Sequence, residues 1–336
     1  MTFKIKFYGV RGSIPSPLTG KQVEEKITLA FQKAEGLKGT EWEHQFGKDN
    51  SNDLKWVQNH IQFNIRSTYG GNTTCMEARC NNLPIIFDMG SGMRELGKAM
   101  IPEIFANKGF NGKVLESHLH WDHIQGFPFF APLFMPRKKF RNRLEFFGGK
   151  SWDAQLELVL QGQMNPPVFP VNLKELNHTS MQMDFNTIWD GWEEDIDATK
   201  LLARKLFHPQ ETFGYQVIND GIKIVFATDH EPYSGDIVPA GLRELADGAD
   251  ILITDCQYSH DNFLGNKDGV QKLGWGHSYP EYIAMVAKEC GVKKVITTHH
   301  DPNSSDREIE MIADTVEAIC DISTEPAYEG MEIVLA

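Results

Sequence analysis

Three histidines and one aspartate fall within six residues, His118-Leu119-His120-Trp121-Asp122-His123, shortly after the apolar pair Val114-Leu115. Imidazole and carboxylate bind borderline first-row metals, and a turn at a strand end can aim several of them at one point. The two-residue spacing puts His118 and His120 on one face of an extended backbone, whereas Asp122 and His123 follow the turn and face a second point. That arrangement predicts two adjacent metal ions and hydrolytic chemistry. The chain holds only 12 histidines in 336 residues, so three in six residues is not ordinary crowding. Left without a cation, such a cluster would repel itself at mildly acidic pH.

Further ligands must come from elsewhere in the chain. His208, Asp229, His277 and the pair His299-His300 each sit just past an apolar stretch or at a glycine-marked boundary, where a loop can project a side chain into a common cleft.

The elements that must carry these loops alternate along the sequence. Strands are predicted at Lys4 to Tyr8, Thr74 to Arg79, Leu83 to Asp88, Val114-Leu115, Leu144 to Gly148, Ala203 to Phe207, Gly214 to Ile218, Lys223 to Asp229, Ile251 to Asp255 and Val295 to Thr298. Helices are predicted at Arg94 to Ala106, Trp152 to Gln161, Leu242 to Ala246, Pro280 to Glu289 and Glu308 to Ala318, with another opening at Gly126-Phe127-Pro128-Phe129-Phe130. Lys21 to Ala34 and Asp53 to Ile61 also have helical spacing and are read as a helical insertion at about 20–62. No linker or low-complexity tract divides the halves. The pattern suits an α/β (α+β) protein with two sheets face to face and helices outside, as one domain over 1–336.

Several segments together resemble the metallo-β-lactamase superfamily, in the branch of ribonuclease Z and the phosphonate-pathway and cyclic-nucleotide phosphodiesterases. They are Phe7 to Pro15, Tyr69 to Cys75, Phe87 to Gly92, Ser117 to Gly126, His208-Pro209, Ala227-Thr228-Asp229, Gly276-His277-Ser278 and Thr298 to Pro302. The resemblance implies a four-layer αββα sandwich with a dinuclear centre, by default zinc, with manganese or iron also suited to nitrogen and oxygen ligands. It implies that His118, His120 and His208 hold one metal. Asp122, His123 and His299 would hold the other, and Asp229 would bridge them. His300 is the alternative to His299; otherwise it would support the site or touch substrate, with Asp301 as a candidate orienter of a ligand imidazole. Asp88 is expected to orient a ligand histidine or the turn after its strand. Asp122 and His277 are the expected catalytic residues. In ribonuclease Z the histidine matching His277 is read as the proton donor to the leaving oxygen, and its alternative here is a helix N-terminal residue with Ser278 as the cap.

The branch favours a phosphodiesterase that cleaves a small cyclic or nucleotide-type diester through a metal-bound hydroxide. An ester, thioester or lactone hydrolase on the same site is the first alternative, and a metal-dependent sensor without turnover is another. tRNA 3′ processing is disfavoured: ribonuclease Z usually has glycine where Trp121 stands, and its Gly/Pro-rich arm has no counterpart in this sequence.

Bulk properties limit the partners. A net charge of −13 argues against gripping long nucleic acid and leaves a small anionic substrate open, because the field of a bound metal dominates locally. The one dense basic run, Pro136 to Arg143, reads as a solvated loop entering a strand. Phe127, Phe129 and Phe130 read as core, and Met164 to Val171 as a possible wall of the cleft. Five scattered cysteines without a CxxC pair argue against a disulfide framework. No apolar run reaches the roughly 20 residues that span a bilayer, and the start lacks a signal-peptide pattern. The expectations are no membrane partner, a cytoplasmic location, and an oligomeric state in which a homodimer is left open.

Overall fold

The computed structural model describes residues 3–47, 49–151, 154–233 and 237–335. Period-two alternation in β1 (Phe3–Gly9) buries Phe3, Ile5 and Phe7 and leaves Lys4 and Lys6 partly exposed. Each buried aromatic or aliphatic side chain of this kind contributes on the order of 2 kcal/mol. One seven-stranded sheet runs, in spatial order, through β16 (Glu332–Val334), β1, β2 (Cys75–Cys80), β3 (Leu83–Phe87), β4 (Gly109–Leu115), β5 (Arg141–Gly148) and β8 (Gln182–Thr187). The other runs through β15 (Thr324–Pro326), β14 (Val295–Thr298), β13 (Ile251–Asp255), β12 (Ile222–Ala227), β11 (Thr212–Asn219), β10 (Thr199–Leu206) and β9 (Glu193–Ile196). A small hairpin of β6 (Lys150–Ser151) and β7 (Ala154–Gln155) stands apart from both.

In the order given, the first sheet has three antiparallel pairings followed by three parallel ones, and the second has three parallel pairings followed by three antiparallel ones. The sheets share one apolar core, where Phe7, Met76 and Phe87 meet Tyr215, Phe226 and Ile253. A second core lies under the helix Met93–Asn107, and a third under the helices Ala240–Ala246, Pro280–Glu289 and Asp306–Cys320. The result is the four-layer αββα sandwich. Helical crossovers between parallel neighbours bring the C-terminal ends of β3, β4, β12, β13 and β14 to one rim, where open α/β sheets place their ligands.

Several sequence expectations need correction. No long helix follows Gly126; two short 3₁₀ turns, Phe127–Phe129 and Ala131–Phe134, replace it. Pro128 and Pro132 lack the N–H groups a continuous helix would use. Phe127 and Phe130 are core residues as expected, but Phe129 is exposed. The helix expected from Trp152 runs instead over Leu156–Gln163; Trp152 itself lies outside the described residues. The basic run is an exposed turn only as far as Lys139, since β5 already begins at Arg141. β8, β9 and the helix Leu173–Thr179 fall in a stretch where the sequence showed no element. The first inserted helix forms at Gly20–Glu35, yet it buries none of its residues, and its apolar stripe Val23, Ile27 and Phe31 faces outward. No helix among the described residues is long and apolar enough to cross a membrane.

Candidate metal centre

β4 delivers Ser117 to His120, and the short helix Trp121–Ile124 turns Asp122 and His123 inward. Asp88 follows β3, His208 follows β10, Asp229 follows β12 and His299 follows β14. Asp88, Asp229 and His299 adopt left-handed φ of 59°, 56° and 57°, as does Ser13 at 61°, whose N–H donates to Asp122 Oδ2 at 2.7 Å. Such conformations cost about 1–3 kcal/mol each and gather at functional sites. Two glycines allow the close approaches. A Cβ on Gly276 would lie 1.9 Å from His208 Nδ1, and one on Gly12 would lie 2.5 Å from the His299 ring.

The seven residues expected as ligands converge in two groups. In the first, His118 Nε2 lies 2.8 Å from His120 Nδ1, His208 Nε2 lies 3.4 Å from that same Nδ1, and Asp229 Oδ2 lies 3.6 Å from His118 Nε2. In the second, His299 Nε2 lies 3.2 Å from His123 Nε2, 3.2 Å from Asp122 Oδ2 and 3.2 Å from Asp229 Oδ1. Asp229 therefore offers one oxygen to each group.

This donor set fits divalent cations. Ring nitrogens with lone pairs crowd one another, and Asp229 Oδ1 is buried without a hydrogen-bond partner among the described residues. Four of the five imidazoles have their outer nitrogen engaged, as metal-binding histidines require. His118 Nδ1 is 3.0 Å from Ser117 Oγ, His123 Nδ1 is 2.7 Å from Asp88 Oδ2, His208 Nδ1 is 3.1 Å from the Gly276 carbonyl and His299 Nδ1 is 3.0 Å from Gln257 Oε1. Burial pushes the His118 and His120 pKa values down and that of His208 to about 4, so these rings are neutral, the form that binds metal. Burial alone would raise Asp122 and Asp229, but the His123 and His299 imidazoles outweigh it and hold both well below the usual carboxylate range.

His300 is not part of either group. Its Nε2 lies 2.9 Å from the Ala327 carbonyl and its ring packs on Tyr69. Asp301 does not orient an imidazole; its Oδ1 accepts from the Asn303 backbone N–H at 2.8 Å and closes a turn. Ser278 does not cap the helix after His277, because the N-cap position is Tyr279.

Two residues missed in the sequence complete the site. Asp255 Oδ2 lies 2.6 Å from His277 Nδ1, and Gln257 holds His299. The signal for Asp255 was present: Ile251-Leu252-Ile253-Thr254-Asp255 is an apolar run ending in aspartate, like those ending in Asp88 and Asp229. Burial opposes the charged form of His277, but the Asp255 carboxylate outweighs it and raises the pKa to about 9. The ring therefore keeps its proton through neutral pH. It stacks on His299 at 5.0 Å between centroids.

Asp88 is the most tightly used outer residue, accepting from the Ser117 N–H at 2.7 Å and from Ser117 Oγ at 2.9 Å besides holding His123. In Asp88→Asn one carboxylate oxygen becomes an NH₂ that faces other donors. Metal affinity, read by chelator competition, is expected to fall about 10- to 100-fold while the circular dichroism spectrum is kept.

Comparison with known proteins places this geometry. Residues 112–300 match the model of the beta-lactamase superfamily domain. Ribonuclease Z of Brevibacillus brevis is 37% identical over 89 residues, which are 26% of this chain and 24% of that protein, so this match spans about a quarter of the relative's length. Ribonuclease Z of Streptococcus sanguinis is 26% identical over 256 residues, covering 64% of this chain and 78% of the relative. Among solved structures, the metallo-beta-lactamase fold protein YhfI of Bacillus subtilis aligns over 100% of both chains with a TM-score of 0.62 at 14% identity. A diphosphatase of the PhnP family covers 100% of this chain and 98% of its own, with a TM-score of 0.60 at 16% identity. The short form of human tRNase Z covers 98% of each chain with a TM-score of 0.57 at 18% identity. These structural likenesses show the fold.

Proposed function

The chain belongs to the beta-lactamase superfamily and is a hydrolase, and from that premise we propose that it is a dinuclear metal-dependent phosphodiesterase acting on a small cyclic or nucleotide-type diester. The observation that carries this reading is the His277–Asp255 pair. Nδ1 is committed to Asp255 at 2.6 Å, so Nε2 is left to give a proton to a departing oxygen. An alkoxide leaves slowly near pH 7 without such a donor. The relatives support the same chemistry, being named ribonuclease Z, and a solved neighbour is named a diphosphatase.

Two divalent ions, zinc by default, would be held by His118, His120 and His208 and by Asp122, His123 and His299, with Asp229 shared, and when bound they supply a nucleophilic water near neutral pH and stabilise charge on phosphoryl oxygens. The chain's own residues do the positioning. Ser13 fixes Asp122, Gln257 fixes His299, and Asp88 fixes His123.

Charge supports a small substrate over a long polyanion. The exposed basic turn of Arg137, Lys138 and Lys139 leads into Arg141, which pairs with Gly109 at the N-terminal end of β4, whereas His118 lies beyond the C-terminal end. The free, buried state of all five cysteines supports a reducing compartment, and we place the protein in the cytoplasm.

The test is turnover by the zinc- or manganese-loaded chain of bis-p-nitrophenyl phosphate beside a thioester and a lactone. Hydrolysis of the phosphodiester is expected to dominate. Thioester or lactone cleavage without it would move the assignment to a carboxylic hydrolase.

A further inference from the structure

Beside the second ligand group the fold leaves an open cavity of about 690 Å³ that no step above uses. Ser13 and Gln257 line it, and these same residues hold Asp122 and His299, so the cavity lies beside the metal centre, one residue beyond its ligands. Tyr258 also lines it and packs its ring on that of His277 at 5.8 Å. The chamber therefore flanks both the second ligand group and the His277 ring, within reach of a substituent carried by a group bound there.

Its chemistry is that of a slot for a flat, neutral, hydrogen-bonding group. Two ammonium groups and two carboxylates face it, and they cancel. Lys267 is paired with Glu308 at 2.5 Å and Lys272 with Asp268 at 2.6 Å, while Asp301 is taken up by Asn303. A second phosphate would find no free cation among the lining residues. Trp275 supplies the flat surface. The residue is 51% exposed, and the Lys272 ammonium lies over its ring at 4.9 Å from the centroid, a cation–π contact that pins the indole. The backbone around it is fixed too: the Trp275 N–H donates to the Lys272 carbonyl at 3.0 Å and the Gly274 N–H to Glu231 at 2.7 Å. Asn262 and Asn303 add amide groups along the wall, suited to the polar edge of a heterocycle.

We propose that this cavity binds a nucleobase carried by the phosphodiester, with Trp275 as the stacking surface that sets substrate preference. The inference rests on the phosphodiesterase reading and sharpens its substrate: the metal centre takes the anionic diester and the neutral cavity takes the base.

Two p-nitrophenyl phosphodiesters, one esterified with thymidine through its 5′ oxygen and one with methanol, read the cavity directly. The metal-loaded wild-type chain is expected to prefer the thymidine ester in kcat/KM. Trp275→Ala is expected to cut that preference by about tenfold, the scale of base–aromatic stacking, and Trp275→Phe to restore most of it. The ratio is internal to each variant, so a general loss of folding or metal does not mimic the effect. Independently of turnover, saturation-transfer NMR is expected to show transfer to the base protons of thymidine 5′-monophosphate from the wild-type chain and not from Trp275→Ala. A preference ratio unchanged within twofold in Trp275→Ala, or no wild-type preference, overturns the base pocket and leaves the phosphodiesterase reading standing. Failure to hydrolyse either ester overturns both.

Discussion

Asp229→Asn is expected to abolish phosphodiester turnover by about a thousandfold or more and to reduce bound metal, measured by steady-state kinetics and by elemental analysis of the purified protein. The wild-type Asp229 carboxylate lies between both ligand clusters, with Oδ2 at 3.6 Å from His118 and Oδ1 at 3.2 Å from His299. An amide keeps the shape but gives up the charge that would offset the proposed pair of divalent cations, and it would turn one of the two candidate coordinating atoms into an NH₂. A thousandfold corresponds to about 4 kcal/mol, within the several kcal/mol by which metal ions stabilise a phosphoryl transition state. The same variant separates a ligand role from a purely structural one. Zinc that binds only the native state stabilises it by mass action, so the wild-type Tm should rise with added zinc. In Asp229→Asn that rise should shrink strongly. A variant that keeps full metal content and the full zinc-dependent shift in Tm would remove Asp229 from the centre.

The sequence carried most of this site because ligands at strand ends leave a one-dimensional trace. An apolar run buried in a sheet must stop where the chain emerges, and the polar residue just beyond the stop is the one aimed at the rim. Asp88 and His299 follow that rule directly, and Asp229 and His118 lie two and three residues past the ends of their strands. Choosing between His299 and His300 needed more than the rule, since the left-handed turn at His299, φ 57°, decides which ring points inward, and neighbouring residues in sequence do not encode that. Asp301 was misjudged for a related reason: its side chain satisfies a local turn through Asn303, a choice open to any aspartate in a loop. The fold was readable where amphipathic periodicity was strong and failed where tertiary context took over. Helix Asp306–Cys320 shows both. Its apolar face was visible, but its start lies two residues earlier than periodicity suggested, set by the capping box of Ser305 and Glu308. The stripe on Gly20–Glu35 warns in the other direction, since helical spacing of Val23, Ile27 and Phe31 produced a helix without producing burial.

His277→Ala is expected to lower kcat by about 100- to 10,000-fold on diesters with alkyl leaving groups while the metal content stays that of the wild type. The size of the loss should depend on the leaving group. p-Nitrophenolate departs without needing a proton near neutral pH, so the variant should lose far less on p-nitrophenyl esters than on alkyl ones. That split distinguishes proton donation from substrate binding or a general disturbance, either of which would slow both classes alike. Asp255→Asn should show the same split in milder form. Its amide would no longer stabilise the imidazolium that Asp255 Oδ2 supports from 2.6 Å, although the ring would still be present. Asp255 and His277 also lie close enough to Asp229 and His299 to form a possible cation site of their own, so metal content is the deciding control. The 2.6 Å carboxylate–imidazole contact favours a hydrogen-bonded pair, because it occupies the nitrogen of His277 that faces Asp229 at 3.9 Å. Loss of one metal equivalent in His277→Ala, with equal losses on both leaving groups, would make His277 a ligand and leave departure of the alkoxide without its proton donor.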